Sequence, residues 1–380
     1  MAILENGDFI FAAFNQPAAC HVERYDRLGA PAAATFSNGK CCALSPDASR
    51  AVYGLSTAPW VALFSTADWS AQAASPPASP VNGLAFSPGG QYLAVAHATA
   101  PFMSMLDSTL SWGALAPPAI TPTGSANAVA WSPDGSRLAV GHAVSPYLTI
   151  YDTATWAKIS GPAVLPPAEV ADLAWSPDGT RLACGGAALT IYDTSAWSVV
   201  SGAPAIPSAA RALSWSVDGA KLAVALSAAP YLRIYNSATW GDTGTANALV
   251  TAYLNDIAWA TSDTIILAGS AWPPLIRWNT AADVSEKITL SPGSPMGVAA
   301  VRYTPKAISG DVKDINLNGV IRTLRAYRRD TGELVGSAQS ANLTGHYSIS
   351  CRHAGEHTVV MFDDLVGTLE NDKVLRTTPV

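Results

Sequence analysis

Charged side chains are scarce in this chain of 380 residues, making up 13% of it and leaving a net charge of −6. Ordinary soluble domains carry about 25% charged residues. No basic block or basic stripe is present, which argues against a nucleic acid as a partner. No apolar run approaches the roughly 20 residues of a membrane-spanning helix, so the sequence predicts no membrane span.

Cysteine is also scarce, and the five cysteines show no paired spacing. Their number is odd, and Cys41 and Cys42 are adjacent. A disulfide framework is therefore not expected, and the chain suits a reducing compartment. Residues 1–8 lack a basic segment followed by an apolar core, so the sequence predicts no signal peptide.

The sequence contains a repeated turn motif. Trp-Ser-Pro-Asp-Gly stands at 131–135 and at 175–179, Trp-Ser-Val-Asp-Gly stands at 215–219, and weaker copies begin at Leu44, Phe86 and Trp259. Pro fixes φ, Asp bonds its own backbone and Gly accepts positive φ, so each copy predicts a tight turn between two strands. Successive copies are 42, 45, 44, 40 and 44 residues apart. This period, with four short strands in each unit, predicts β-propeller blades.

The number of units sets the predicted blade count. Six units carry the full strand–turn cycle and start near Lys40, Val81, Ala126, Val170, Ala210 and Leu254. A seventh is divided: residues 7–13 and 20–26 match its second and third strands, and residues 296–303 supply its first. The sequence therefore predicts an all-β, seven-bladed propeller closed by strands from both ends of the array, which leaves no free sheet edge.

Composition changes near residue 305. All twelve tryptophans precede it, whereas residues 306–380 carry 18 charged side chains, nine of each sign. The predicted domains are therefore a propeller at 1–305 and a second domain at 306–380. Alternating residues at 347–351 and the Asn318-Gly319 hairpin signal predict a small β-sandwich for the second domain.

These motifs carry two resemblances. The propeller resembles the WD40-type β-propellers in repeat length, in the Ser-Pro-Asp-Gly turn and in strands ending Tyr151-Asp152 and Tyr192-Asp193. It lacks the Gly-His pair and the loop Asp of that family, so the family's His–Asp–Ser–Trp network is not expected. Residues 310–349 resemble a transthyretin-like (carboxypeptidase regulatory-like) domain, of the kind often appended to tail and other virion proteins of bacteriophages. The first resemblance implies protein–protein contacts and the second implies a phage particle.

Two segments of the second domain have the residue types of metal sites. Residues 314–319 match the first half of a calcium loop, but Arg325 stands where the twelfth-position carboxylate is needed. Cys351, His353 and His357, with His346 nearby, lack the spacing of zinc ligands. No catalytic triad order, phosphate loop or paired-carboxylate motif is present. We therefore expect no catalytic residue, no cofactor and no metal.

One recurring pair points to recognition. The loops between the second and third strands repeatedly place a proline beside a large aromatic residue, which puts the aromatics on one face of a propeller. Aromatic residues supply much contact area with little rotamer entropy to lose. The alternative is that each aromatic packs between blades. The predicted partner-contact residues are Trp60, Phe102, Tyr147, Tyr231 and Trp272.

Together these features predict a non-enzymatic structural or assembly protein of a phage particle, in its tail or on its surface. Its partners would be other virion proteins, further copies of itself or a host surface receptor, and its location would be the virion. The alternatives are a bacterial WD40-like adaptor or surface-binding protein and, from another class, a propeller hydrolase or lactonase. An enzyme would need carboxylates in the central channel, where the sequence offers Asp172 and Asp256.

Overall fold

A computed structural model gives the fold of the chain. It describes the backbone of residues 11–15, 20–24, 32–36, 39–47, 49–65, 70–75, 77, 79–244, 250, 252–259, 262–269, 275–281, 284–288, 294–298, 306–311, 323–328, 334–339, 346–351, 357–362 and 373–377. Side chains are described within 39–281 only. The chain divides into two compact units, Met1–Tyr303 and Thr304–Val380, whereas the sequence placed the boundary after residue 305.

The described residues of the first unit form β-strands, turns and loops, with one 3-10 turn at Ser108–Leu110. Its strands in chain order are β1 (Phe11–Asn15), β2 (Cys20–Arg24), β3 (Ala32–Phe36), β4 (Gly39–Leu44), β5 (Arg50–Leu55), β6 (Val61–Ser65), β7 (Ala71–Gln72), β8 (Val81–Phe86), β9 (Tyr92–His97), β10 (Met103–Asp107), β11 (Gly113–Ala114), β12 (Ala126–Trp131), β13 (Arg137–His142), β14 (Leu148–Asp152), β15 (Val170–Trp175), β16 (Arg181–Gly186), β17 (Leu189–Asp193), β18 (Ser198–Val199), β19 (Ala210–Trp215), β20 (Lys221–Leu226), β21 (Leu232–Asn236), β22 (Asp242–Gly244), β23 (Leu254–Trp259), β24 (Thr264–Gly269), β25 (Leu275–Asn279), β26 (Val284–Ile288) and β27 (Ser294–Val298).

Six antiparallel sheets of consecutive strands form the blades of a propeller. We number them blade 1 (β4–β7), blade 2 (β8–β11), blade 3 (β12–β14), blade 4 (β15–β18), blade 5 (β19–β22) and blade 6 (β23–β26). Within each blade the strands are called a, b, c and d from first to last. Blade 3 has no strand d beyond a single bridge between Tyr151 and Lys158.

The predicted count of seven blades is corrected to six blades of consecutive strands. A further sheet has the order β27-β1-β2-β3 and therefore joins the two ends of the array. In it Ala12 pairs with Val298 and Ala13 with Gly297. The sequence prediction of seven blades counted this divided unit as a full blade, equal to the six continuous ones. Its strand β27 begins at Ser294 rather than 296, and its side chains lie outside the described residues.

The repeated turn closes strands a and b through its serine and aspartate. In blade 3 the Ser132 Oγ donates to Asp134 at 2.5 Å and accepts the N–H of Arg137 at 2.9 Å. The carboxylate of Asp134 also accepts the N–H of Ser136 at 3.0 Å, and Gly135 has a φ of 72°. Blades 1, 4 and 5 repeat the Ser–Asp bond. The turn is therefore held by short-range bonds that the sequence predicts.

Contacts between blades come from the tryptophan at the end of strand a. The indole N–H of Trp175 donates to the carbonyl oxygen of Ala130 in the preceding blade at 3.1 Å. Trp131, Trp215 and Trp259 make the same bond to Ala85, Ala174 and Ser214, each at 3.1 Å. One hydrogen bond thus recurs at four blade junctions.

Cations and apolar side chains complete these junctions. The guanidinium of Arg137 lies 5.3 Å from the ring centre of Trp197 in the next blade and donates to the Thr194 carbonyl at 3.0 Å. Arg181 repeats this arrangement with Trp240. In the hydrophobic core between blades 3 and 4, Ile150 of blade 3 packs with Leu173 and Leu182 of blade 4. The hydrophobic core therefore lies between blades and not within a single sheet.

The second unit contains two described sheets. One pairs β28 with β31, and the other has the order β30-β29-β32-β33. The resemblance to a transthyretin-like domain stays a prediction, and Asn318-Gly319 lies outside the described residues. No helix of the described residues is long and apolar enough to cross a membrane. The strands are β28 (Lys306–Asp311), β29 (Thr323–Arg328), β30 (Leu334–Gln339), β31 (His346–Cys351), β32 (His357–Phe362) and β33 (Lys373–Thr377).

The blade-junction hydrogen bond can be tested by Trp175→Phe. The variant keeps an aromatic ring but leaves the partly buried Ala130 carbonyl without its indole donor, so we expect the free energy of unfolding to fall by about 0.5–1.5 kcal/mol. Trp156→Phe is the control, because Trp156 packs on Trp131 with no indole hydrogen bond among the described residues. Equal losses in urea unfolding of the two variants would contradict the assignment.

Deletion of residues 1–26 tests the sheet that joins the two ends. The truncation removes β1 and β2 and exposes the backbone edge of β27, and a free strand edge promotes association. We expect concentration-dependent aggregation in light scattering. Deletion of residues 304–380 serves as the control, because it leaves the first unit whole. A truncated protein without residues 1–26 that stays monomeric and melts cooperatively would disprove the expected role.

Candidate binding face and central channel

The strand order gives the propeller two different faces. The a–b and c–d turns lie at one end of each blade, which we call the turn face. The b–c loops lie at the other end, together with the linkers that lead into the next strand a, and we call this end the loop face. The two faces differ in conformation and in charge.

One loop conformation recurs four times at the loop face. Residues 56–60, 98–102, 143–147 and 227–231 each contain a cis peptide bond before Pro59, Pro101, Pro146 or Pro230. In each loop the last residue of strand b donates its N–H to the carbonyl of the aromatic residue that follows the proline. The pairs are Leu55–Trp60 at 2.7 Å, His97–Phe102 at 3.0 Å, His142–Tyr147 at 2.9 Å and Leu226–Tyr231 at 2.7 Å.

The predicted contact residues are partly exposed and partly packed. Trp60, Phe102, Tyr147 and Tyr231 are all half-buried, and each packs against a hydrophobic cluster between blades. Each ring therefore packs between blades, as the alternative predicted, and is also partly exposed, while contact with a partner stays a prediction. Trp272 lies outside the described residues.

Charge is strongly segregated between the faces. Among the described side chains, Lys40, Glu169 and Arg211 lie at the loop-face end of the blades, and Arg233 stands equally near it as the second residue of strand c in blade 5. Lys40 and Arg211 line the central cavity together with Asp172 and Asp256. The turn face carries eight acidic and four basic residues in its turns or at the adjoining strand ends. These are Asp47, Arg50, Asp107, Asp134, Arg137, Asp152, Asp178, Arg181, Asp193, Asp218, Lys221 and Asp263.

Exposed aliphatic side chains stand in two linkers between blades and in one b–c loop, whereas Leu110, which is 55% exposed, lies in a c–d turn of the turn face. Ile120 and Val164 stand in successive linkers and are 56% and 62% exposed, and Leu165 follows Val164. Val144 is 49% exposed in the b–c loop of blade 3 and lies beside Gly124, where an added Cβ would come within 2.5 Å of it. Sequence reasoning missed these residues because the linkers have no periodicity from which exposure can be predicted.

Buried tyrosines hold the linkers in place. The hydroxyl of Tyr151 donates to the Ile120 carbonyl at 2.8 Å, and that of Tyr192 donates to the Val164 carbonyl at 2.9 Å. Burial raises the pKa of both tyrosines, so the hydroxyls remain protonated donors. The aliphatic side chains are therefore presented on anchored backbone.

The a strands line a cavity of about 380 Å³ at the centre of the propeller. Each strand a carries a bulge near its second residue. Two bulged residues, Asn82 and Asn127, donate to the first carbonyl of the next strand a, at 2.8 Å and 3.0 Å. These amides therefore link blades and are not free to bind a ligand.

Asp172 and Asp256 both line this cavity, as the sequence predicted for a channel. Asp172 accepts the N–H of Leu213 in the next blade at 2.6 Å. Burial, and then the nearby Asp256, raise the pKa of Asp172 to about 7. A carboxyl group that titrates near neutral pH can exchange a proton with a ligand, and such groups concentrate at functional sites.

Two cations, Lys40 and Arg211, line the same cavity as this carboxyl pair. Burial and the neighbouring Cys42 and Asp256 raise the pKa of the Cys41 thiol, which keeps it protonated and a poor nucleophile. The remaining wall combines small residues such as Gly83, Ala128 and Ala212 with the polar side chains of Asn82, Asn127, Ser214 and Asn255. Within the described residues no three His, Cys, Asp or Glu side chains are placed to hold a metal ion. The metal-like segments near Asp314 and Cys351 lie where no side chains are described.

The raised pKa of Asp172 predicts how stability depends on pH. The folded protein holds this proton more tightly than the unfolded chain, so its contribution is complete below about pH 4 and is lost as pH rises through about 7. Asp172→Asn keeps an acceptor for Leu213 and should remove this loss, which is at most a few kcal/mol at about 1.4 kcal/mol per unit. Thermal melts at pH 5 and pH 8 measure the effect.

Asp134→Asn provides the control for this experiment. Its turn hydrogen bonds lower the pKa of Asp134, so its stabilisation is present at neutral pH and lost in acid, the opposite sign. Asp256→Asn should shrink the alkaline loss, because it removes the charge that acts on Asp172. If the melting temperature changes by the same amount between pH 5 and pH 8 in the wild type and in Asp172→Asn, the proposed role of Asp172 is refuted.

Comparisons with known proteins agree with the propeller fold. A sequence profile described as "WD domain, G-beta repeat" (WD40) matches residues 164–193, which is one repeat in blade 4. A chain in the crystal structure of the mitotic checkpoint complex superposes with a TM-score of 0.55 at 18% identity, covering 69% of this chain and 83% of the other. No curated protein matches the sequence. The chain thus contains a WD40 repeat within a β-propeller, an architecture typical of protein–protein interaction.

Proposed function

We propose that this protein is a non-enzymatic binding platform that holds a partner protein against the loop face of its propeller. The segregation of charge is the observation that carries this proposal. Because its described residues include few charged side chains, the loop face can be buried at a smaller desolvation cost than the turn face. The turn face, with its eight carboxylates, would incur the larger cost.

The apolar side chains of the loop face support the same conclusion. Ile120, Val144, Val164 and Leu165 offer exposed aliphatic surface, and interface cores are depleted of charge. The Tyr151 and Tyr192 hydroxyls already hold two of the linkers, so little backbone entropy would be lost on binding. The half-buried rings of Trp60, Phe102, Tyr147 and Tyr231, with Trp272, would add aromatic contact area.

For the biological setting we propose a structural or assembly role in a phage particle, in its tail or on its surface. The partners would be other virion proteins, further copies of this chain or a host receptor. The support is the resemblance of residues 310–349 to an appended virion domain and the low charge of the propeller. A bacterial WD40-like adaptor explains the loop face equally well, and the nature of the partner distinguishes the two settings.

A propeller hydrolase or lactonase is the competing function from another class. Asp172, with its pKa near 7 beside Asp256, is the observation in its favour. We propose that these carboxyl groups are structural, because Asp172 already bonds the backbone of the next blade. Turnover of a lactone or ester that disappears in Asp172→Asn would show the reverse.

Photo-cross-linking tests the loop face. A benzoylphenylalanine at Val144 or Leu165 should cross-link one defined protein, whereas one at Ala154, exposed on the turn face, should not. Val164→Asp would bury a charge at the contact, and we expect it to weaken affinity for the captured protein at least about tenfold, or about 1.4 kcal/mol. Cross-links only from Ala154 would disprove the proposal. Mass spectrometry of the captured protein, from particles or from cells, separates a virion role from an adaptor role.

A further inference from the structure

Two buried histidines occupy equivalent positions in neighbouring blades. His97 ends strand b of blade 2, His142 ends strand b of blade 3, and both are 0% exposed. Each therefore stands at the base of a b–c loop, the loops that carry Phe102 and Tyr147. When a buried ring at the base of a loop gains a charge, the closed conformation of that loop becomes less stable.

Both histidine rings are hydrogen-bonded in their neutral form. His142 Nδ1 lies 2.7 Å from the Val144 carbonyl, to which it donates, so Nε2 accepts from Thr149 Oγ1 at 3.0 Å. His97 Nε2 lies 3.0 Å from Ser104 Oγ, and its Nδ1 lies 3.4 Å from Ser79 Oγ. Each ring thus connects the end of strand b to the start of strand c.

The chain itself contains loops of the same form without histidine. In blades 1 and 5 the corresponding residues are Leu55 and Leu226, and each donates the same loop-closing N–H to an aromatic carbonyl. The loop conformation therefore does not require histidine. What His97 and His142 add to blades 2 and 3 is an ionisable group.

Ionisation of either ring would place a charge in an uncompensated site. Burial lowers the pKa of both histidines. Lys158 adds a like charge near His142, and no carboxylate acts on either ring among the described residues. The folded form binds these protons less tightly than the unfolded chain. The stabilisation is therefore present above about pH 6.5 and is lost as pH falls below it.

We propose that His97 and His142 make the loop face acid-sensitive, so that their ionisation loosens the loops of blades 2 and 3 and weakens the hold on a partner. The loosening of the loops rests on the histidine sites alone, whereas the effect on a partner rests on the proposed function. Blades 1 and 5 carry leucine at this position and stay closed. Acid would thus open one side of the loop face and leave the other side intact.

Hydrogen exchange of the isolated protein at pH 7.5 and pH 5.5 tests the loosening. The four loop-closing amides, those of Leu55, His97, His142 and Leu226, report on equivalent bonds. After correction for intrinsic exchange rates, protection of the His97 and His142 amides should fall in acid, by up to about tenfold, which is the limit set at pH 5.5 when only the opened loop protonates its imidazole at the ordinary pKa of about 6.5. Protection at Leu55 and Leu226 should not change.

The double variant His97→Leu and His142→Leu copies the residues of blades 1 and 5 and should abolish the pH effect. Should this variant fail to fold, NMR titration of the two imidazoles in the wild-type protein gives the answer directly, with both expected to titrate below pH 6.5. Unchanged protection in acid, equal loss at all four amides, or imidazoles that titrate above pH 6.5 would each overturn the acid-sensitive loops.

A second measurement separates this inference from the proposed function. Affinity for the protein captured by cross-linking is measured at both pH values, with the wild type and with the double leucine variant. Weaker acid binding by the wild type alone would support the release of a partner. Loops that open in acid while that affinity stays constant would overturn the loop face as the docking surface, although the histidine effect on the loops would stand.

Discussion

The indole N–H bond from one blade to the backbone of the preceding blade is the interaction on which this propeller depends. A blade cannot bury both faces of its sheet alone, so its stability comes from its neighbours. The Trp175 indole reaches the Ala130 carbonyl, and the same bond recurs at three other junctions. It satisfies a backbone acceptor on the inner edge of the sheet and fixes the spacing of the blades. Arg137 and Arg181, placed over tryptophans of the next blade, then shield the junction from solvent.

The residues that form the turns of the blades also determine where most charged side chains are located. Each turn aspartate bonds the serine and the backbone beside it, so carboxylates accumulate at the turn face. The cations Arg137 and Arg181 sit next to them at the start of strand b. Little charge remains for the loop face, which is built from Pro, Ala, Ser and Thr around half-buried aromatics. The neutral face is thus a consequence of how the repeat folds as well as a candidate surface for a partner.

Ionisable groups buried in this propeller favour their neutral forms for the same physical reason. Burial disfavours a charge at Asp172 in the channel and at His97 and His142 beneath the loops. The consequences for pH are opposite, because a carboxyl group becomes charged as pH rises and an imidazole becomes charged as pH falls. Below about pH 7 the two contributions therefore oppose each other, because the one from Asp172 falls as pH rises and those from His97 and His142 grow.

The sequence by itself determined the repeat, the turns and the strands, because these depend on residues close together in the chain. Ser132, Asp134 and Gly135 form their turn with local bonds, and the Pro146-Tyr147 pair marks a loop that the structure repeats. The tertiary structure decided which residues meet across the period of about 44 residues, such as Trp175 with Ala130 or Asp172 with Leu213. It also corrected the blade count and showed Ile120 and Val164 at the surface. Such contacts depend on how blades stack, and stacking distances are not encoded in any local pattern.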